Sequence, residues 1–132
     1  METALHVIWL YTGDDGRSHF GDLDVPMHDM PVGQASAPLD GGRVLLRAVQ
    51  DDRMDFHPAP MRQFVVHLTG VTEVECGDGA IREFTRGEVM LADDTTGEGH
   101  ITRWIGPCSH VFVGLSPDVD VVAWRVQPEE RS

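Results

Sequence analysis

The stretch that decides the fold is Thr72–Phe84, which reads TEVECGDGAIREF. Its first five residues alternate polar and apolar side chains over most of their length, as a half-buried β-strand does. Gly77-Asp78-Gly79 then supplies residues that tolerate positive φ angles, and Ala80–Phe84 returns as a second run. The stretch therefore predicts a β-hairpin.

Short β-rich runs continue on both sides of this hairpin, separated by Gly, Pro and Asp clusters about every 8–12 residues. No window of a dozen residues shows the 3.6-residue apolar period of a helix. This spacing predicts an all-β sandwich or barrel of about 8–10 strands with little or no helix. The predicted strands are His6–Tyr11, Arg43–Val49, Arg62–Leu68, Thr72–Cys76, Ala80–Phe84, Glu88–Ala92, His100–Ile105, His110–Leu115 and Val121–Val126.

Length and composition indicate one domain. A chain of 132 residues closes a single modest core, so we expect one domain over residues 1–132 with its core in residues 43–126. Residues 1–42 are expected to form N-terminal strands and loops. Within them, the segment Thr12–Gly42 is rich in Gly, Pro and Asp and is interpreted as loops and edge segments.

Net charge limits the expected classes of binding partner, and the cysteines indicate the cellular compartment. The 10 Lys and Arg residues against 22 Asp and Glu residues give a net charge of −12, which repels phosphate backbones and anionic lipids. We therefore expect no nucleic-acid or membrane partner. No secretory leader is recognisable in Met1–His6. Cys76 and Cys108 have no CxxC spacing and are interpreted as reduced thiols of a cytoplasmic protein.

Two histidines stand where predicted strands begin. His57 lies in the loop Asp55–Pro60, which leads into the strand Arg62–Leu68. His100 follows the loop Asp93–Gly99 and opens another strand. Both histidines therefore stand at or just before the start of a predicted strand, and histidine is the natural side chain for proton transfer near neutral pH.

The first of these segments resembles a motif of the cupin superfamily. The pattern His57-x-Ala59-x3-Gln63-x6-Gly70 has the spacing of the first cupin motif. Ala59 stands where that motif has its second histidine, and Gln63 stands where it has a glutamate.

The second segment resembles the second cupin motif. The pattern Thr95-x-Gly97-x2-His100-x3-Trp104 has its spacing, with Thr95 in place of a proline and Trp104 in place of an asparagine. The resemblance implies a double-stranded β-helix, the jelly-roll barrel of small bacterial cupins. It also implies a homodimer in which the N-terminal strands could pair across the two copies.

The resemblance implies a metal site with a reduced ligand set. Cupins usually bind a metal through three histidines and one glutamate, and this chain keeps His57 and His100 with Gln63 as an amide ligand, whereas Ala59 cannot coordinate. The expected ion is one divalent transition metal that favours imidazole, namely Fe, Ni, Zn or Cu. Without a metal, His57, Gln63 and His100 would be the catalytic acid–base and substrate-orienting groups. No organic cofactor is expected.

Strand alternation assigns the remaining cavity residues. Gln63, Val65 and His67 share one face of their strand, and His67 lies about 13 Å from Gln63, too far to share an ion. We interpret His67 as a hydrogen-bonded interior histidine, and His19 and His110 as surface residues. The predicted substrate pocket consists of Val65, Met90, Thr102, Trp104 and Phe112.

The charged residues near the motifs are interpreted from their positions. Arg62 and Arg103 fall on the face opposite Gln63 and His100 and are expected at the surface or in a subunit contact, whereas Arg47 cannot be placed. The pair Asp93-Asp94 could orient the histidines, but carboxylates before Thr-Thr-Gly more often bind turn amides. We favour the turn.

These features predict an enzyme that acts on a small polar molecule inside the barrel. The chemistry would be proton transfer, as in a cupin-type isomerase or lyase, or oxygen chemistry, as in a metal-dependent oxygenase. The alternative is a barrel that binds a small ligand without turnover. A purely structural module, the third possibility, would show no pocket.

Overall fold

The computed structural model describes residues 4–127, and nearly all of their regular structure is β. A single 3₁₀ turn, Val121–Trp124, is the helical element in this range. No helix in residues 4–127 is long and apolar enough to cross a membrane. The strands are β1 (Ala4–Thr12), β2 (Ser18–Pro26), β3 (His28–Asp29), β4 (Gln34–Ala35), β5 (Val44–His57), β6 (Gln63–Cys76), β7 (Ile81–Phe84), β8 (Val89–Asp93) and β9 (His100–Gly114). The all-β prediction is confirmed.

Seven of the strands form one mixed sheet. Their order is β2-β1-β8-β6-β9-β5, and β7 pairs with β6 beside this path. The β1–β8 pair is parallel and the other pairs are antiparallel. The predicted hairpin is present as the β6–β7 pair, in which Thr72 faces Phe84. Strands β3 and β4 form a separate two-stranded ribbon.

The strands β6 and β9 correct the predicted boundaries. Each joins two runs that the sequence separates, because Gly70 and the Gly106-Pro107 pair bend the chain without ending the strand. The β6–β9 register shifts on both sides of Thr69, as at a β-bulge. At Gly70 the φ angle is +81°, and the backbone of Pro107 lies so close that no Cβ would fit.

The edge strand β5 is also longer than predicted. It continues past Val49 to His57 through two register shifts against β9, one of them at Asp51, which has a φ angle of +45°. His57 is therefore the last residue of a strand and not part of a loop.

The prediction holds in part at one chain end and is wrong at the other. The segment Thr12–Gly42, interpreted as loops and edge segments, contains the edge strand β2, which pairs with β1 along its whole length and buries Leu23 and Val25. Gly and Asp residues in β2 mask its alternation in the sequence. The predicted strand Val121–Val126 is a 3₁₀ turn followed by a single bridge between Leu23 and Arg125, because Val121 packs into the core under β1 and β2.

Apolar residues cover both faces of β1. Ile8 and Leu10 pack into one cluster with Val65 and Met90, whereas Val7 and Trp9 pack into a second cluster on the other face. This explains why β1 reads as a continuous apolar run and not as an alternating one. The first cluster borders the cavity described next.

Candidate functional site

A cavity of about 130 Å³ lies between β5, β6, β8 and β9. A dry protein cavity of about 150 Å³ accommodates benzene, so this one suits a molecule of about six non-hydrogen atoms. All eight residues that the sequence assigns to the site or its pocket line this cavity. They are His57, Gln63, Val65, Met90, His100, Thr102, Trp104 and Phe112.

Strand alternation places these side chains. Gln63, Val65 and His67 face the cavity from β6, as predicted. Val65 lies opposite Met90 on β8 and opposite Phe112 on β9, so these three form one apolar wall.

The His57–His100 pair stands where β5 ends and β9 begins. The two residues face each other in the β5–β9 register, and their ring centroids are 4.6 Å apart. Gly99 makes this approach possible, because a Cβ there would overlap the backbone of His57. Its φ angle of +80° is a second reason for glycine at this position.

A buried carboxylate orients His100. Asp94 Oδ2 lies 2.5 Å from His100 Nδ1, and both side chains are buried. The preference for turn chemistry at Asp94 is therefore wrong, because burial on the cavity side gives its side chain a histidine partner. The carbonyl of Asp94 also accepts a hydrogen bond from the amide of Ala59, which ties the two motif loops together.

The His57 ring is also held through its Nδ1, but its partner is a backbone carbonyl. Its Nδ1 donates to the carbonyl oxygen of Asp55 at 2.8 Å. Because Nδ1 is engaged in both His57 and His100, Nε2 is the nitrogen that each ring has available for a bound molecule.

A second histidine pair lines the same cavity. His67 on β6 lies opposite His110 on β9, with ring centroids 5.4 Å apart in a T-shaped arrangement. His67 Nδ1 donates to the carbonyl of Glu88 at 2.9 Å, and His110 Nε2 lies 2.9 Å from the Thr72 hydroxyl. The interior interpretation of His67 is confirmed, whereas the surface interpretation of His110 is wrong.

Burial keeps this second pair neutral. It lowers the pKa of His67 and lowers that of His110 to about 4, where the neighbouring charges of His67 and Arg47 act in the same direction. Two neutral rings thus stand beside the cavity near neutral pH.

Arg47 is a cavity residue that the sequence could not place. Its guanidinium lies 4.7 Å from the ring centroid of Phe112 and 5.9 Å from that of Trp104. Of the described residues that line the cavity, it is the only Lys or Arg. Within residues 4–127 no carboxylate forms an ion pair with it.

The other candidate residues lie outside the cavity. Arg62 pairs with Asp93 at 2.8 Å, and Arg103 bridges two glutamates of β6, so both are absent from the cavity wall as predicted. His19 is bound between two surface carboxylates, Asp15 and Asp78, and its hydrogen bond with Asp15, assisted by the charges of both, raises its pKa. Cys76 is a free thiol whose pKa burial raises to about 12, which makes it a poor nucleophile.

The donor set for a metal is short. His57 and His100 offer two imidazole nitrogens and Gln63 one amide oxygen, whereas catalytic zinc sites have three protein ligands that are usually imidazole, carboxylate or thiolate. Within the described range, no three His, Cys, Asp or Glu side chains are grouped to hold one ion. The residues present therefore do not fit the metal site that the cupin resemblance implies.

Comparisons with known proteins do not name the family. No family model matches the chain, and no curated protein matches it. The solved structures similar to it include protein NMB1881 from Neisseria meningitidis, at 18% identity over 68% of this chain and 80% of that one, with a TM-score of 0.47. Another is the conserved protein SPY1581 of unknown function from Streptococcus pyogenes, at 14% identity over 58% and 77%, with a TM-score of 0.43.

Proposed function

We propose that the protein is a small-molecule enzyme of the cupin type, a jelly-roll barrel whose active site is this cavity. The observation that carries the proposal is the buried hydrogen bond between Asp94 and His100, 2.5 Å long, beside a cavity that His100 lines. A histidine fixed by a carboxylate at Nδ1 presents Nε2 as a general base, and the carboxylate stabilises the imidazolium that forms.

His57 gives the proton a second carrier. The His57 ring lies next to that of His100, and its Nδ1 is likewise engaged. One ring can take a proton from a substrate carbon or oxygen while the other, protonated, returns one elsewhere. Such a pair supports an isomerase or a lyase, since both need a base and an acid at one site.

Gln63 and Thr102 complete the proposed machinery. Both line the cavity, Gln63 six residues after His57 and Thr102 two residues after His100, and both carry groups that donate and accept hydrogen bonds. Their role would be to orient the substrate, whereas Val65, Met90, Trp104 and Phe112 supply apolar walls.

Hydrogen–deuterium exchange tests the proposal whatever the product of the reaction is. The protein is incubated in D₂O with a pool of small hydroxy and oxo acids, and C–H signals are followed by NMR. The expected result is enzyme-dependent loss of one C–H signal, abolished in His100→Asn and kept in the surface variant His28→Gln. A pool that the wild-type protein leaves unchanged, or exchange that persists in His100→Asn, would contradict the proposal.

The metal-dependent version, an oxygenase with Fe, Ni, Zn or Cu at His57, Gln63 and His100, has a separate test. Metal content is measured on untagged protein after reconstitution with each ion. A working site must be mostly filled, so less than about 0.2 equivalents of every ion would eliminate it. The short donor set leads us to expect that low occupancy.

Non-catalytic ligand binding is the second candidate. It is favoured by Ala59, a buried cavity residue at a position where cupin metal sites have a histidine. This function predicts that His57→Ala and His100→Ala alter ligand affinity although no turnover occurs with any ligand.

We also propose a cytoplasmic homodimer. Strand β5 is an edge of the sheet, and its side chains include exposed Val44, Leu45, Leu46 and Phe56. Long edge strands with exposed apolar residues tend to pair with another chain. The two free cysteines support a reducing compartment.

A further inference from the structure

The second histidine pair contains two buried nitrogens that have no hydrogen-bond partner among residues 4–127. They are Nε2 of His67 and Nδ1 of His110, and each residue is only 2% exposed. Buried polar atoms in proteins nearly always have a hydrogen-bond partner, so an unpartnered pair beside a cavity indicates a bound molecule. The general base proposed above does not use either atom.

The hydrogen bond that His67 makes within the protein defines what its other ring nitrogen can bind. Its Nδ1 donates to the carbonyl of Glu88, so the proton of the neutral ring is on Nδ1 and Nε2 carries a lone pair. Nε2 therefore accepts, and its partner must carry an O–H or an N–H. His110 is adaptable, because its Nε2 can donate to or accept from the Thr72 hydroxyl.

Arg47 defines the charge of the same molecule. Among the described residues it is the one Lys or Arg that lines the cavity, and its charge acts on His110. The ring of Phe112 lies on one side of the guanidinium, which leaves the N–H edge to bind an acceptor. A guanidinium edge binds a carboxylate through two parallel hydrogen bonds, and one cation balances one negative charge. The positive charge also disfavours a metal ion at the histidine pair.

We propose that His67 and Arg47 form a recognition subsite for a small hydroxycarboxylic acid, with its carboxylate on Arg47 and its hydroxyl donating to His67 Nε2. The inference rests on the proposed function, for which it names the substrate class. The cavity of about 130 Å³ matches an acid of about three carbons in size. Recognition at this subsite leaves the rest of the molecule to the His57–His100 pair.

Three probes of nearly equal shape test the two contacts separately on the wild-type protein. Lactate has both groups, propionate lacks the hydroxyl, and propane-1,2-diol lacks the carboxylate. Dissociation constants are measured by NMR titration, with the ring nitrogens of the histidines as reporters. We expect lactate to bind in the millimolar range, about 3- to 10-fold more tightly than propionate and at least about 10-fold more tightly than the diol. The His67 Nε2 signal should shift with lactate and not with propionate.

Two variants assign the contacts. Arg47→Met keeps the length and apolar stem, and should remove the preference for lactate over the diol. His67→Leu should reduce lactate affinity to that of propionate. The dispersion of the NMR spectrum shows whether each variant is folded. If His67→Leu does not fold, Arg47→Met and the three probes still decide, because Arg47 is only half-buried.

His100→Asn separates this inference from the proposed function. The variant should lose exchange activity but still bind lactate. Equal binding of the three probes, no binding of lactate, a preference for inorganic phosphate, or full lactate affinity in Arg47→Met would overturn the subsite. None of these results would bear on the proposed role of His100 in exchange. Exchange that persists in His100→Asn would overturn the proposed function alone.

Discussion

At the scale of single residues, a buried contact gives Asp94 a different role from the turn residue that the sequence indicates. Its carboxylate is completely buried, one oxygen binds His100, and the other has no partner within the part of the chain that the structure describes. Burying a charged carboxylate costs folding free energy unless the charge is paired or hydrogen-bonded. A buried carboxylate on a cavity histidine is a common arrangement for holding that ring in one tautomer.

We predict that Asp94→Asn lowers kcat by about 10²- to 10⁴-fold, because the amide no longer stabilises the protonated ring or holds its tautomer. The measurement is the rate of substrate deuteration. Asp93→Asn is the matched control, since Asp93 binds Arg62 and Trp9 outside the cavity. It should reduce stability and spare the rate. Equal loss of rate in both variants would mean that Asp94 acts only through folding.

The buried His110 makes stability depend on pH. Its folded pKa of about 4 is below the ordinary 6.5, so the unfolded chain takes up the proton first as the pH falls. Stability is therefore lost between about pH 6.5 and pH 4, by up to about 1.4 kcal/mol per pH unit for one such group, and changes no further below. His67, whose pKa is also lowered, adds to this loss.

His110→Phe tests this expectation. Urea unfolding of the variant should show a smaller fall in free energy between pH 6.5 and pH 4 than the wild type, because one of the two groups is gone. His28→Gln, which removes an exposed histidine, should leave the wild-type slope unchanged. An unchanged slope in His110→Phe would show that its ring titrates alike in the folded and unfolded chains.

At the scale of the elements, the bend in β6 depends on Gly70. A Cβ at this residue would lie 2.6 Å from the Cys108 sulfur and would overlap the carbonyl oxygen of Pro107. Gly79 in the β6–β7 turn has a similar positive φ angle of 93° but nothing within 4 Å of a Cβ. An alanine at Gly79 therefore adds backbone strain alone, whereas an alanine at Gly70 adds both backbone strain and steric overlap.

We predict that Gly79→Ala costs about 1 kcal/mol of unfolding free energy, the usual cost of a left-handed alanine, whereas Gly70→Ala costs at least about 3 kcal/mol. Thermal or urea unfolding measures both. Equal losses in the two variants would mean that β9 moves aside and that the close approach does not constrain the bend.

Sequence reasoning about the elements failed where glycine and proline bend a strand. If Gly106-Pro107 is interpreted as a turn, β9 is divided into two strands. The alternation of inward-facing and outward-facing side chains can then no longer be followed from His100 to His110. Along the continuous strand the cavity residues His100, Thr102, Trp104, His110 and Phe112 all have even numbers. That signal was present in the sequence and would have placed His110 in the cavity.

At the scale of the whole molecule, the free edge of the sheet is the feature to test. Strand β5 extends over 14 residues, and Leu46 at 72% exposure is one of several apolar side chains on it. We predict that light scattering gives the mass of a dimer, and that Leu46→Glu gives a monomer with an unchanged circular dichroism spectrum. Val32→Glu is the control, because Val32 is equally apolar and 91% exposed but lies outside β5. A monomeric wild-type protein would refute the homodimer.

The amino-acid sequence was sufficient to predict the β class, the β6–β7 hairpin and eight of the side chains that line the cavity. These properties follow from local alternation and turn chemistry, which a single strand carries in its own residues. The motif spacing likewise brought His57 and His100 to one site.

The partners of those side chains follow from the three-dimensional fold and not from local sequence patterns. The face on which Arg47 lies depends on two register shifts in β5, and the bond from Asp94 to His100 depends on what buries the loop. Whether Gly70 ends a strand or bends it depends on β9 beside it. Each is a contact between residues distant in sequence or buried by distant elements, and a local pattern of residue types contains no information about such neighbours.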